Sequence, residues 1–294
     1  MNILNQFPHK IQQYLIESFG NPVAMKKLNG IKHDGGCYCI KFFDNSVIVK
    51  QMVEPQEYLF YNECTQFMQE FKRHIPILYC SYRNEEGYWI VIEYVENLLP
   101  KERWYADEHL LEVLFKFHSE TWGKGLLLSN HYSPNWKDEL TYSVLELMPD
   151  KISNQLQSFL LDLQKESNHI FKPYCWVNAD TNPTNWGIRK DGTVVLFDWE
   201  RISCASPAID LAISIPGLGT ADNSVESLMS KRYIAMWSKL SGDFPFTEQK
   251  LLQEIKLAKL WSVVEYLGNN WVTLEHEMLN NLLNKLTEKI YNII

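Results

Sequence analysis

Three oxygen-bearing side chains stand at intervals that suit phosphate chemistry: Asp180, Asn185 five positions later, and Asp198, which closes the apolar run Val194-Val-Leu-Phe. Phosphoryl transfer requires a polyphosphate to be held, one or two Mg²⁺ ions to be bound, and an acceptor hydroxyl to be oriented in line with the γ-phosphate. Mg²⁺ takes hard oxygen ligands and keeps several waters, so one carboxylate and one amide oxygen are enough protein, and Asp198 with Asn185 matches that pair. Asp180 then accepts the proton of the acceptor hydroxyl or orients it. An Asp and an Asn in a turn ordinarily do no more than bond the nearby backbone. The strand that ends in Asp198 turns the balance toward chemistry.

The elements that must position these groups are legible from periodicity. Residues 8–19 carry Ile11, Tyr14, Leu15 and Phe19 at helical spacing, stopped by Gly20-Asn-Pro22. Stretches 25–31, 37–43 and 46–53 read as an antiparallel meander, 55–71 as a helix, and 77–82 with 88–94 as two more strands joined by Asn84-Glu-Glu-Gly87. Helices are expected over 106–122, 137–148, 151–166, 222–241 and 247–291, the last broken near Gly268, with a β-rich insert at 174–200. The pattern is that of an α+β protein with a strand-rich first part and a helical second, divided at Val95-Glu-Asn-Leu-Leu-Pro100.

At 294 residues the chain suits about two lobes. A net charge of −8 argues against attachment to nucleic acid or anionic membrane, and no local basic patch offsets it. The six cysteines are scattered without zinc-like spacing and read as reduced thiols. The first residues lack a signal-peptide pattern, and no apolar stretch reaches the roughly 18 to 20 residues of a membrane span, so a cytoplasmic protein is expected.

The segment from Trp176-Val-Asn-Ala-Asp180-Thr-Asn-Pro-Thr-Asn185 to Phe197-Asp198-Trp-Glu-Arg, followed by Ser206-Pro-Ala-Ile-Asp210-Leu-Ala212, resembles the aminoglycoside phosphotransferase and choline kinase superfamily, relatives of the protein kinases. The likeness lies in the H-x-D-x-x-x-x-N loop, the D-W-E segment and the D-L-A helix start. It implies a bilobal protein-kinase-like fold. Residues 1–95 would form an N-terminal nucleotide-binding lobe, a small antiparallel sheet with one main helix, and 96–294 a larger, mainly helical catalytic and acceptor-binding lobe. By the resemblance Asp180 is the catalytic Asp, Asn185 and Asp198 bind Mg²⁺, Asp210 is a buried acid bracing the loop, and ATP or GTP is the phosphoryl donor. Two positions depart from the pattern. Asn178 replaces the usual His and takes a scaffolding role, since an amide bonds but does not ionise near neutrality. Ser206 stands where the family often has Asp.

The same template assigns Lys50, at the end of Val47-Ile-Val-Lys50, to the α- and β-phosphates. Its acidic partner is Glu57, in a stretch that resembles the family's E-x-x-F-Y, or Glu63. Gly35 and Gly36 lie in a turn whose N–H groups could cover phosphates, though such glycines usually only make turns. At the lobe junction the Glu93 carbonyl and Val95 amide are candidates for the nucleobase. His118 reads as a packing residue.

For the acceptor, Trp261, Glu265, Tyr266 and Trp271, with Glu275 and Glu277 beyond them, gather rings and acids able to hold a cation; a core helix explains them equally. An aminoglycoside-like compound, choline or ethanolamine, and a sugar all stay open, as do the choice of nucleotide and the oligomeric state. The alternative class is a pseudokinase, a nucleotide-binding or protein-interaction module. A protein kinase proper is disfavoured because no A-P-E-like segment follows Asp198.

Overall fold

The computed structural model describes residues 3–28, 36–126, 128, 131–220, 222–240 and 244–293. Packing divides the chain into two units, one of Met1–Leu98, Leu127–Tyr132 and Trp186–Ile202, the other of Leu99–Leu126, Ser133–Asn185 and Ser203–Ile294.

In the first unit, β-branched alternation makes the strands. Strands β1 (Ala24–Leu28), β2 (Gly36–Lys41), β3 (Ser46–Met52), β4 (Leu78–Asn84) and β5 (Gly87–Glu93) form an antiparallel sheet in the order β1-β2-β3-β5-β4. Val47 and Val49 of β3 point to one buried face. Helix α1 (His9–Phe19) lays Ile11 and Leu15 on that face, against Ile40, Phe42, Trp89 and Val91, each such burial being worth roughly 1.5–3 kcal/mol.

The helix expected over 55–71 is less regular than its pattern. It begins as α2 (Gln56–Leu59), widens to a π turn at Phe60–Cys64, tightens to a 3-10 turn at Thr65–Phe67, and stops at an extended Met68. Buried Glu57, Phe60, Tyr61, Cys64, Thr65 and Met68 still follow the helical period. The Thr65 hydroxyl donates back to the Tyr61 carbonyl at 2.9 Å, a bond that distorts helices locally. Strands β6 (Asn97–Leu98), β8 (Trp186–Ile188) and β9 (Val194–Leu196) form a second sheet in the order β6-β8-β9.

The second unit holds α3 (Glu108–Thr121), α4 (Asp138–Glu146), α5 (Asp150–Glu166), α6 (Ala208–Ile213), α7 (Ser224–Trp237), α8 (Glu248–Asn270) and α9 (His276–Ile293), with β7 (Cys175–Val177) antiparallel to β10 (Ser203–Ala205). Strand β10 and helix α6 lie beyond the insert expected at 174–200. Helix α8 is buried on several faces, through Leu251, Ile255, Leu260, Trp261 and Val264 among others. It runs through Gly268 and breaks later, at Trp271–Thr273. A side chain at Gly268 would bring its Cβ within 2.9 Å of Leu140 Cδ2, where α8 passes α4.

All six cysteines are unpaired. Burial holds each thiol above its usual range, Cys37 at about 11 and Cys64 at about 12. Among the described residues no helix is long and apolar enough to cross a membrane.

Candidate active site

In the first unit three charged side chains meet. Lys50 on β3 forms ion pairs with Glu57 of α2 and with Asp198 Oδ1, the latter at 2.7 Å. Glu57 occupies the buried phase of its helix and is 2% exposed, whereas Glu63 faces solvent; Glu57 is therefore the partner. Burial acts to depress the Lys50 ammonium, but Glu57 and Asp198 hold it well above its ordinary value. Burial raises the Glu57 carboxyl, and Lys50 opposes that rise. Lys50 thus stays charged. Cys37 lies opposite Lys50 across β2 and β3.

Asp198 sits just past β9 with φ 64, a left-handed conformation that Asp tolerates better than most residues. Its neighbour Trp199, not singled out from sequence, is fully buried and stacked on Phe60 with centroids 4.1 Å apart. The Trp199 indole donates to the Leu196 carbonyl at 3.1 Å and its backbone N–H to Glu57 Oε1 at 3.3 Å. These contacts anchor the turn that presents Asp198. A large aromatic directly after a strand-end Asp was the available signal.

In the second unit the loop after β7 is organised around Asp210 of α6. The fully buried Asp210 carboxylate accepts from Asn178 N–H at 2.9 Å and Ala179 N–H at 2.8 Å, and its carbonyl accepts from the Thr181 hydroxyl at 2.6 Å. Ala179 is held at φ 56. Asn178 Oδ1 accepts from Asp180 N–H at 2.9 Å. Asn185 Nδ2 donates to the Asp180 carbonyl at 2.8 Å. His118 of α3, read from sequence as packing, is indeed buried and also bridges Asp210 Oδ2 at 3.1 Å and the Tyr233 hydroxyl at 2.7 Å.

No family model matches the chain, and no curated protein matches it. Among solved structures it is similar to a spectinomycin phosphotransferase in complex with ADP and spectinomycin, at 11% identity over 97% of each chain with a TM-score of 0.64. It is also similar to a choline kinase from Streptococcus pneumoniae, at 17% identity over 96% of this chain and 98% of that one with a TM-score of 0.61. A Plasmodium vivax ethanolamine kinase covers 99% of this chain, with 86% of its own, at 10% identity and a TM-score of 0.60.

The chain has the protein-kinase-like fold. The α+β architecture read from sequence is that of these neighbours.

Within this kinase-like fold the remaining candidates are placed as follows. Gly35 lies outside the described residues; Gly36 opens β2 and pairs with Gln51. Glu93 ends β5, followed by Val95 before β6. Of the expected acceptor cage, Trp261 is fully buried, with its indole donating to the Asn135 carbonyl at 3.0 Å and its ring edge-on to Phe171. Its faces belong to the core, which corrects its assignment as an acceptor wall. Tyr266 and Trp271 are exposed and Glu265 is half-buried.

Proposed function

We propose that the chain is a small-molecule kinase that transfers the γ-phosphate of ATP or GTP to a hydroxyl of a small acceptor. The observation that carries this reading is Lys50 held charged between Glu57 and Asp198. Two carboxylates against one ammonium leave a surplus negative charge. Glu57 is sealed, with its side chain 1% exposed, while the Asp198 side chain is 33% exposed and is the acid a ligand can reach. A cation-assisted phosphate site has those properties.

By the resemblance, Mg²⁺ would be held by the Asn185 amide oxygen, whose nitrogen is engaged by the Asp180 carbonyl, and by the Asp198 carboxylate, both hard oxygen donors. Bound there, the ion would neutralise charge on the transferring phosphoryl group. Lys50 engages the α- and β-phosphates, and the Glu93 carbonyl with the Val95 amide receives the base. Asp180 orients the acceptor hydroxyl and takes its proton, on a loop held by Asn178 and Asp210. Glu265, Tyr266 and Trp271 contribute to an acceptor site for a cationic compound, whether aminoglycoside-like, choline or ethanolamine; a sugar is the neutral alternative.

The test is ADP or GDP release over a panel of aminoglycosides, choline, ethanolamine and sugars, with Asp180→Ala as control. Acceptor-stimulated release is expected, abolished in Asp180→Ala while Mg-nucleotide affinity stays within about twofold, because an acid acting on the acceptor is not a nucleotide ligand. Equal loss of binding and turnover would remove Asp180 from that role. Asn178 in the place of the family's histidine favours the second reading, a nucleotide-binding module. Binding without release for any acceptor would support it.

A further inference from the structure

The end of β5 departs from the regular ladder. Glu93 N–H donates to the Ile77 carbonyl at 2.9 Å. In a regular hydrogen-bonded antiparallel pair the return bond runs from the opposite amide to the same residue's carbonyl. Here the Ile77 N–H donates to the Glu93 side chain instead, at 3.1 Å from Oε2. The Glu93 main-chain carbonyl is thereby relieved of its ladder partner.

Arg189, just past β8, holds that carboxylate in place. Its Nε donates to Glu93 Oε1 at 2.7 Å and its Nη2 to Oε2 at 2.6 Å, a bidentate fork. The same guanidinium donates to the carbonyls of Arg73 at 2.5 Å and Ile75 at 2.9 Å. Arg189 is mostly buried, with its side chain 19% exposed. On the other side of residues 93–97, β8 pairs Ile188 with Asn97 and Gly187 with Leu98. A Cβ at Gly187 would stand 2.5 Å from Val95 Cγ1, so the strand approaches this segment as only glycine permits.

We propose that Arg189 and the Glu93 carboxylate form a positioning clamp that keeps the Glu93 carbonyl out of the ladder, where it accepts a hydrogen bond from the 6-amino group of an adenine nucleotide. The clamp rests on the nucleotide reading of residues 93–95 above. An oxygen acceptor at this point rewards a base with an amine and opposes one with an oxo group. Adenine is selected over hypoxanthine. Lysine at position 189 would keep the charge but not the fork.

Calorimetric titration with Mg-ATP and Mg-ITP tests this on the wild-type chain and on Arg189→Ala, Arg189→Lys and Glu93→Ala, with melting curves to confirm that each variant is folded. The wild type is expected to favour ATP by about tenfold. That ratio should fall about threefold to tenfold in Arg189→Ala and Glu93→Ala, and less in Arg189→Lys. A purely structural role would weaken both nucleotides alike and leave the ratio where it was. An unchanged ratio in the folded variants, or no preference in the wild type, overturns the clamp. Failure of the wild type to bind either nucleotide would instead overturn the nucleotide reading beneath it.

Discussion

Lys50 is a residue whose charge is worth more to the fold than its length suggests. Without it, Glu57 would stay buried beside Asp198 with no counter-charge. Breaking a buried ion pair by removing one partner costs about 3–5 kcal/mol, and the partial exposure of Lys50 reduces that to about 2–3 kcal/mol. Lys50→Met should therefore lower the urea unfolding free energy by that amount, and adding Glu57→Gln should restore about half of it. Equal stabilities for wild type and Lys50→Met would show that the three charges are not coupled. The choice of Glu57 over Glu63 was in principle readable, because 57, 60, 61, 64 and 65 share one helical phase and 63 does not. The aim of the Trp199 ring was not, since its partner Phe60 lies far away in sequence. Asp210 concentrates another dependence. Its carboxylate orders the two amides ahead of Asp180, so Asp210→Ala should remove turnover while leaving Mg-nucleotide affinity within a fewfold, each lost bond being worth about 1 kcal/mol. Parallel collapse of both would assign Asp210 to general stability.

Helix α8 buries two ionisable groups. Glu254 is fully buried, accepts from the Ser206 hydroxyl at 2.6 Å, and is raised by burial from 4.5 to about 7. Between those values the folded chain keeps a proton that the unfolded chain has released, so stability falls as pH rises from 4.5 toward 7. The full loss is about 3 kcal/mol. Lys259, whose ammonium donates to the Ile215 carbonyl at 2.6 Å, is lowered by burial from 10.5 to about 7. From about 7 to 10.5 the unfolded chain holds the extra proton, and stability gained from this group rises with pH. Denaturant unfolding of wild type and Glu254→Gln at pH 5 and 7.5 should show the wild type losing about 2–3 kcal/mol more than the variant. Parallel pH dependence would dismiss the Glu254 contribution. The sequence carried the length and apolar period of α8, but its acids and lysines look like any solvated helical charge. Only the packing of α4, α6 and α7 around it takes them from water. The break expected near Gly268 falls three residues on, where α8 ends at Asn270 and a 3-10 turn leads to α9.

For the whole molecule, ligand linkage gives the broadest test. Mg-ATP at about one hundred times its dissociation constant adds about 3 kcal/mol to stability, which for a chain of this size is a rise of roughly 5 °C in melting midpoint. Chelating the metal with EDTA should abolish the rise. No rise at saturating Mg-ATP or Mg-GTP would argue against a nucleotide site of either kind, kinase or binding module. The strand-then-helix order and the motif loops were legible because they depend on local period and on short spacing. Arg189 with Glu93, and Tyr132 with its ring under Arg201 at 4.2 Å, were not, because these pairs join residues remote in the chain. The unpaired cysteines have a practical consequence. Nucleophilic attack and oxidation proceed through the thiolate, and with every sulfhydryl shifted upward by burial very little of it exists at neutral pH. The folded protein should react sluggishly with alkylating reagents and dilute peroxide, and should gain rapid thiol reactivity only when it unfolds.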